Sequence, residues 1–305
     1  MVTRTVEPTP AASLSLPGRR VVDGRSIRWN AARAEAAYAA GHWVSETLAD
    51  RLATIVLQSP ERVLLIDSDL RLSAAELHRK ATTLARHLVA RMPRGSVVSF
   101  MLPNWHEAAI VYHAATLAGM VANPILPSLR DRELGFILSD ARTRLVVVPG
   151  VWRGHDYPAM LDRLLPTLTE PPEVIVVRGA ESDPRDLAAV LSSDADLASS
   201  LPTLDPDAVR MILYTSGTTG RPKGVLHTHN SLHALTRQIG LYWRVAAGDV
   251  FLVPSPVSHI GGSLYAFETP VLLGATAVLM DRWDASRAVR LAERHGCTHM
   301  AGATP

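Results

Sequence analysis

Lysine is almost missing from this chain: of 31 basic residues only Lys80 and Lys223 are lysines, so each stands out against an arginine background. Cysteine is scarcer still. The lone Cys297 excludes an intramolecular disulfide and suits a reducing, cytoplasmic compartment; lying between Gly296 and a short apolar run, it reads as a core-packing thiol. Aromatic residues make up only 5% of the chain, and neither sign of charge prevails, with 31 basic residues against 29 acidic ones for a net charge of +2. The arginines are scattered instead of gathered into a tract, which argues against nucleic acid as a partner. Residues 1–20 lack the apolar core of a secretory signal and carry Glu7, Pro8, Pro10, Pro17, Arg19 and Arg20, so they read as a disordered leader. One run, Ala108 to Leu129, is free of Asp, Glu, Lys and Arg for the length of a bilayer span. It is interrupted by His113, Gly119, Asn123, Pro124 and Pro127, which fits a buried helix followed by a strand, and no transmembrane segment is expected.

What is present is a globular chain of 305 residues, 47% of them hydrophobic, enough for one large domain or two smaller ones. Apolar β-like runs at Val63–Ile66, Val97–Met101, Val121–Ile125, Leu145–Val148 and Val174–Val177 alternate with helix-like stretches. Ser73-Ala-Ala-Glu76 is a capping box that opens a helix to Arg91, with Leu77, Ala81, Leu84 and Leu88 at helical spacing. Further helices are expected over His106–Ala118, with Asn104 as a candidate N-cap, and over Asp131–Ser139. Residues Gly179–Leu204 read as a connection, after which the alternation restarts: strands at Ala208–Tyr214, Val250–Val253, Ala275–Met280 and Thr298–Ala301, helices at Asn230–Gly240, Ser263–Leu273 kinked at Pro270, and Ala285–His295 between Asp284 and Gly296. This order implies an α/β fold: layered parallel-sheet subdomains flanked by helices, the first over 21–204 with its connection and the second beginning at 205.

The densest chemistry lies in Tyr214-Thr-Ser-Gly-Thr-Thr-Gly-Arg-Pro-Lys-Gly-Val225. Gly217, Gly220 and Gly224 permit positive φ and close backbone approach to an anion, Thr215, Ser216, Thr218 and Thr219 add hydroxyl donors, and Lys223 supplies a mobile charge. A Gly/Ser/Thr cluster is otherwise a common surface turn. A Walker A loop is rejected, because the spacing differs and the β-like run Gly224-Val-Leu follows where that loop requires a helix. His227 and His229, two residues apart with no Cys or acidic neighbour, make no zinc site.

Along its whole length this segment resembles the signature loop of the adenylate-forming enzymes, the superfamily of acyl-CoA synthetases, peptide-synthetase adenylation domains and firefly-type luciferases. Met101-Leu-Pro-Asn104, Gly119-Met-Val-Ala-Asn-Pro124 and Leu145-Val-Val-Val-Pro149 resemble the first sheet subdomain of acyl-CoA synthetases, and residues 208–305 resemble the start of the second. The resemblance implies that ATP, with Mg²⁺, binds through Thr215, Ser216, Gly217, Thr218, Thr219, Gly220, Lys223 and Gly224, that a small carboxylic acid is joined to its phosphate, and that CoA accepts the acyl group. Lys223 would offset charge on the departing pyrophosphate or, alternatively, brace the loop through its carbonyls. His259, in Pro256-Val-Ser-His-Ile-Gly-Gly262, matches a motif whose histidine or aromatic residue borders the acyl pocket; its alternative is a satisfied core histidine. Similarity of Leu102–Ile137 and Pro270–Leu279 to the cyclohexanecarboxylate and medium-chain branch implies an aliphatic or alicyclic acid. In that family the chain continues past the point matching Pro305 into a C-terminal lid with a catalytic lysine. The resemblance therefore implies an incomplete N-terminal portion, lid absent, that a complementary C-terminal fragment would complete. The alternatives are an adenylation domain that loads a carrier protein and a catalytically silent nucleotide-binding fragment.

Overall fold

The computed structural model describes residues 18–180, 183–193, 199–215 and 221–302. Two sheets hold the core apart into layers. The six-stranded sheet has the order Glu173–Val177, Thr143–Pro149, Val97–Phe100, Val121–Pro124, Val209–Thr215, Lys223–Thr228, and is parallel except for its last strand. The five-stranded sheet runs His299–Met300, Val250–Val253, Thr276–Leu279, Val63–Asp67, Leu70–Ser73, again parallel except for the last.

Between the sheets lie the helices Ala74–Arg91 and His106–Leu117. The first begins at the expected capping box: Ser73 Oγ accepts from Glu76 N, and the Glu76 carboxylate accepts from Ser73 N. The second is apolar all round and every residue from Ala108 to Leu117 is buried, because it touches strands of both sheets. This is why the charge-free run is a core element. Among the described residues no helix is long and apolar enough to cross a membrane.

Strand alternation follows the layers. Leu145 and Val147 face the central helices, while Val146 and Val148 face an outer cluster with Leu134, Ile137, Met160 and Leu161 from the helices Asp131–Asp140 and Tyr157–Leu164. On the far face of the second sheet, Ile66, Leu252 and Val278 pack with Ala288 of the Ala285–His295 helix. That helix starts at Asp284, whose carboxylate accepts from Arg287 N, and stops at left-handed Gly296.

Several expectations are corrected. Neither sheet is contiguous in sequence: Val63–Asp67 and Leu70–Ser73 complete the sheet of Val250–Val253, while Val209–Thr215 and Lys223–Thr228 complete the sheet of Val97–Phe100. Arg19 and Arg20, read as the end of a leader, start an antiparallel hairpin of Arg19–Val22 with Arg25–Arg28; residues 1–17 lie outside the described residues. Asn104 is not a cap, since Trp105 occupies that position without a side-chain bond. The Ser263–Leu273 helix is not simply kinked at Pro270. It runs Ile260–Ser263 as α-helix, Leu264–Glu268 as a π-turn and Thr269–Leu272 as α-helix, the extra residue being absorbed one turn ahead of the proline, which has no N–H to donate.

Candidate functional site

The strand Val209–Thr215 is buried until its carboxyl end, where Thr215 emerges exposed opposite Lys223. Thr215 and Lys223 thus form the mouth of an antiparallel hairpin, and the Thr215 hydroxyl reaches the Lys223 carbonyl at 3.5 Å. Ser216, Gly217, Thr218, Thr219 and Gly220 lie outside the described residues. Lys223 is exposed, and its ammonium has no acidic partner among the described residues, so it is free to meet an anion.

Gly224 requires a correction. It is an extended strand residue without positive φ, paired to Tyr214, and its lack of a side chain is explained by packing: an added Cβ would stand 3.1 Å from Ile212 Cγ2 and 3.3 Å from Tyr214 Cζ. Tyr214 is itself anchored by donating to Asp140 at 2.6 Å; burial and that carboxylate push its phenol pKa up. The glycine therefore shapes the arm of the hairpin that delivers Lys223.

His259 stands at the carboxyl end of Val250–Val253, in the other sheet, and is exposed. Its Nδ1 accepts from Gly261 N at 3.4 Å, so it caps the short Ile260–Ser263 helix instead of packing as a core histidine. Gly262 is forced, because any Cβ there would lie 2.0 Å from the Pro256 carbonyl oxygen. Ser263 Oγ donates back to the Val257 carbonyl and tightens the same turn. Behind His259 the scarce aromatic residues converge: Tyr265, Phe251, Trp243 and His299 form a stack of near-parallel rings with centroids 4.8–6.4 Å apart. An overall aromatic content of 5% gave no hint of this concentration.

Asn104 brings the two sheets' carboxyl ends together. It follows Val97–Phe100 of the first sheet, and its buried amide donates to the Val253 and Ser255 carbonyls at 3.0 and 2.8 Å and accepts from Val257 N at 2.9 Å. The loop before His259 is thus fastened to the sheet that carries Thr215 two strands away. Ligands of parallel α/β sheets gather at this end.

Deeper, a second link missed by sequence reasoning joins the strand Val209–Thr215 to the π-turn Leu264–Glu268. Arg210, near the amino end of the strand that leads to the mouth, is fully buried and bonds Glu268 of the π-turn through two nitrogens, at 2.8 and 2.7 Å, while Tyr112 donates to Glu268 at 2.5 Å. Burial opposes both charges, yet their mutual attraction holds Glu268 below and Arg210 above their ordinary pKa ranges. Charged residues inside otherwise apolar stretches were the available signal.

Asp67, His106 and Glu107 also cluster, with His106 Nδ1 2.9 Å from Asp67 Oδ2. Arg178 already occupies the place of a cation there, bonding Glu107 at 2.7 Å and Asp67 at 2.9 Å while lying 4.0 Å over Trp105. The cluster reads as a latch between the sheets. His227 and His229 do not join any metal-like group among the described residues, and burial lowers the pKa of both. Cys297 is half-buried against Leu291, and burial raises its thiol pKa. A cleft of about 630 Å³ between Asp131–Asp140 and Tyr157–Leu164 lies in the outer helical layer and is lined by neither site.

Two interleaved, mostly parallel sheets meet with the Thr215–Lys223 hairpin and the His259 loop at their carboxyl ends, a layered α/β architecture. Residues 52–305 match the AMP-binding enzyme family, and the chain belongs to it. It is 29% identical over 291 residues to a medium-chain fatty-acid–CoA ligase of Escherichia coli (strain K12), covering 92% of this chain and 50% of that one. It is 31% identical over 290 residues to the salicyl-AMP ligase / salicyl-S-ArCP synthetase of Mycobacterium tuberculosis (strain ATCC 25618 / H37Rv), covering 90% and 50%. The apo structure of Mycobacterium smegmatis MbtA superposes with a TM-score of 0.80 at 27% identity, over 89% of this chain and 51% of the other. The chain spans about half the length of the curated relatives it matches.

Proposed function

We propose that this chain is the ATP-binding portion of an AMP-forming carboxylic acid–CoA ligase, operating in the cytoplasm. The observation that carries the reading is the unpaired Lys223 at the mouth of a hairpin on the same carboxyl edge to which Asn104 fastens the His259 loop. Thr215, Ser216, Gly217, Thr218, Thr219 and Gly220 would hold the β- and γ-phosphates, and Lys223 would offset charge as pyrophosphate leaves. Mg²⁺, when bound, would supply positive charge against the phosphates, with hydroxyl oxygens such as that of Thr215 as its protein donors. The carboxylate oxygen attacks the α-phosphorus, forming the acyl adenylate and breaking the bond to pyrophosphate. His259 and the ring stack behind it would border the acyl group. That wall suits a compact apolar acid, aliphatic or alicyclic, and CoA would then take the acyl group from AMP.

A second reading rests on the salicyl-AMP relative: the acceptor would be a carrier-protein thiol. Supplying CoA or a phosphopantetheinyl protein to the loaded enzyme separates the two. The test is calorimetric titration of ATP with a panel of aliphatic, alicyclic and aryl acids. An acid that tightens ATP binding, in a manner lost with Lys223→Ala, supports the proposal; ATP binding indifferent to every acid and to Lys223→Ala contradicts it.

A further inference from the structure

We propose that a cleft at the opposite, amino-terminal end of the six-stranded sheet is a second, non-catalytic site for an adenine nucleotide phosphate. Arg19 and Arg28 sit directly across from each other in the hairpin, an arrangement of like charges that is destabilising without a counter-ion. Arg33 joins them from the first turn of the helix Ala31–Ala39, whose N-cap Asn30 also lines the cleft and whose positive end adds to the field. No carboxylate lines this space of about 590 Å³, a size that accommodates a nucleotide. Three acids around the hairpin are already paired: Asp23 with Arg94 at 2.9 Å, and Asp205 and Asp207 with Arg20 at 3.2 and 2.7 Å. Arg19 has Ser26 as a neutral partner, but the guanidinium groups of Arg28 and Arg33 have none among the described residues.

The remaining wall is indole. Trp29 and Trp43 line the cleft with their centroids 5.8 Å apart and planes tilted by 42°. Three guanidinium groups beside two indoles are complementary to phosphate attached to a planar base, through charge-assisted bonds and stacking. The site is separate from the hairpin mouth. Val22 and Ile27 pack with Val97, Val121 and Val209, the amino ends of their strands, and the six steps from Val209 to Thr215 span about 20 Å.

The cleft is nevertheless tied to both arms of the catalytic hairpin. Asp207, just before Val209–Thr215, bonds Arg20, Tyr38 and Asn230, and Asn230 in the helix after Lys223–Thr228 accepts from Val44 N beside Trp43. A nucleotide held there would stiffen the frame from which both arms extend, which gives the site a regulatory role.

Tryptophan quenching and calorimetry at fixed ionic strength test this with AMP, 3′,5′-ADP, CoA, adenosine and inorganic phosphate as probes. AMP or CoA should bind saturably, with adenosine and phosphate at least tenfold weaker. Arg28→Gln/Arg33→Gln should weaken nucleotide binding at least tenfold with no fall in urea midpoint, because both side chains are exposed and Arg28 faces a like charge, whereas Lys223→Ala should leave this binding intact. CoA binding more tightly than AMP would assign the site to the nucleotide head of CoA, and equal affinity to a free nucleotide. No saturable binding, phosphate binding as tightly as AMP, or loss of binding in Lys223→Ala alone would overturn the proposal; the last would still leave the hairpin mouth as the nucleotide site.

Discussion

Lys223, Gly262 and His259 carry three different burdens, and each has its own test. Lys223 is the exposed point charge of the hairpin mouth. Losing a charge-assisted contact of about 1.5–3 kcal/mol, Lys223→Ala should weaken ATP binding roughly tenfold to a hundredfold without lowering thermal stability. Gly262 has no room for a methyl group, since its Cβ would sit 2.0 Å from a backbone oxygen. Gly262→Ala should therefore displace the His259 turn and cost stability at the upper end of about 1–3 kcal/mol, read as a fall in urea midpoint. His259→Ala removes only a 3.4 Å cap bond to Gly261. It should leave stability nearly unchanged and shift acid affinity more than ATP affinity; the reverse pattern would displace it from the acyl side. At this scale the sequence was legible where chemistry is local. Lys223 stood out through scarcity. Positive φ was expected of Gly224 because a glycine that makes room for a cross-strand tyrosine looks the same in sequence as one that needs the left-handed region.

Elements show where sequence reasoning runs out. Strand and helix cores were readable from period and caps, as at Ser73-Ala-Ala-Glu76, because those signals involve residues a few positions apart. Asn104 was misread as a cap because its true partners, Val253, Ser255 and Val257, lie about 150 residues away. The π-turn before Pro270 was equally hidden, since proline announces an interruption but not where the ladder absorbs it. The Arg210–Glu268 pair spans the strand that leads to Thr215 and the helix that follows His259. Arg210→Met alone leaves a buried, unpaired carboxylate and should cost about 3–5 kcal/mol. The double variant Arg210→Met/Glu268→Leu should recover most of that loss, and a urea-denaturation double-mutant cycle measures the coupling. Additive single losses would mean that the pair does not act as a unit.

On the scale of the whole molecule, the two sheets exchange strands from distant parts of the chain, which no linear division at residue 204 could express. The central layer so created buries His113 completely and lowers its pKa from 6.5 to about 4, mainly by burial. The unfolded chain therefore takes up the proton first as pH falls. This contribution to stability is intact above pH 6.5 and is lost progectively down to about pH 4, by about 1.4 kcal/mol per pH unit from this site. Urea midpoints of His113→Gln should fall less steeply than wild type between pH 6.5 and 5. The layered α/β plan was visible in the order of strands and helices; the interleaving was not, because strand partners are chosen by packing across more than two hundred residues, as between Leu65 and Ala277.

Calorimetric titration of ATP into Arg28→Gln/Arg33→Gln protein, with and without Lys223→Ala, tests the central claim most directly, because silencing the cleft leaves only the hairpin mouth to be read. The account predicts a single ATP site in the double variant and at least a tenfold loss of affinity when Lys223 is also replaced. Equal ATP affinity with and without the Lys223 ammonium would contradict it.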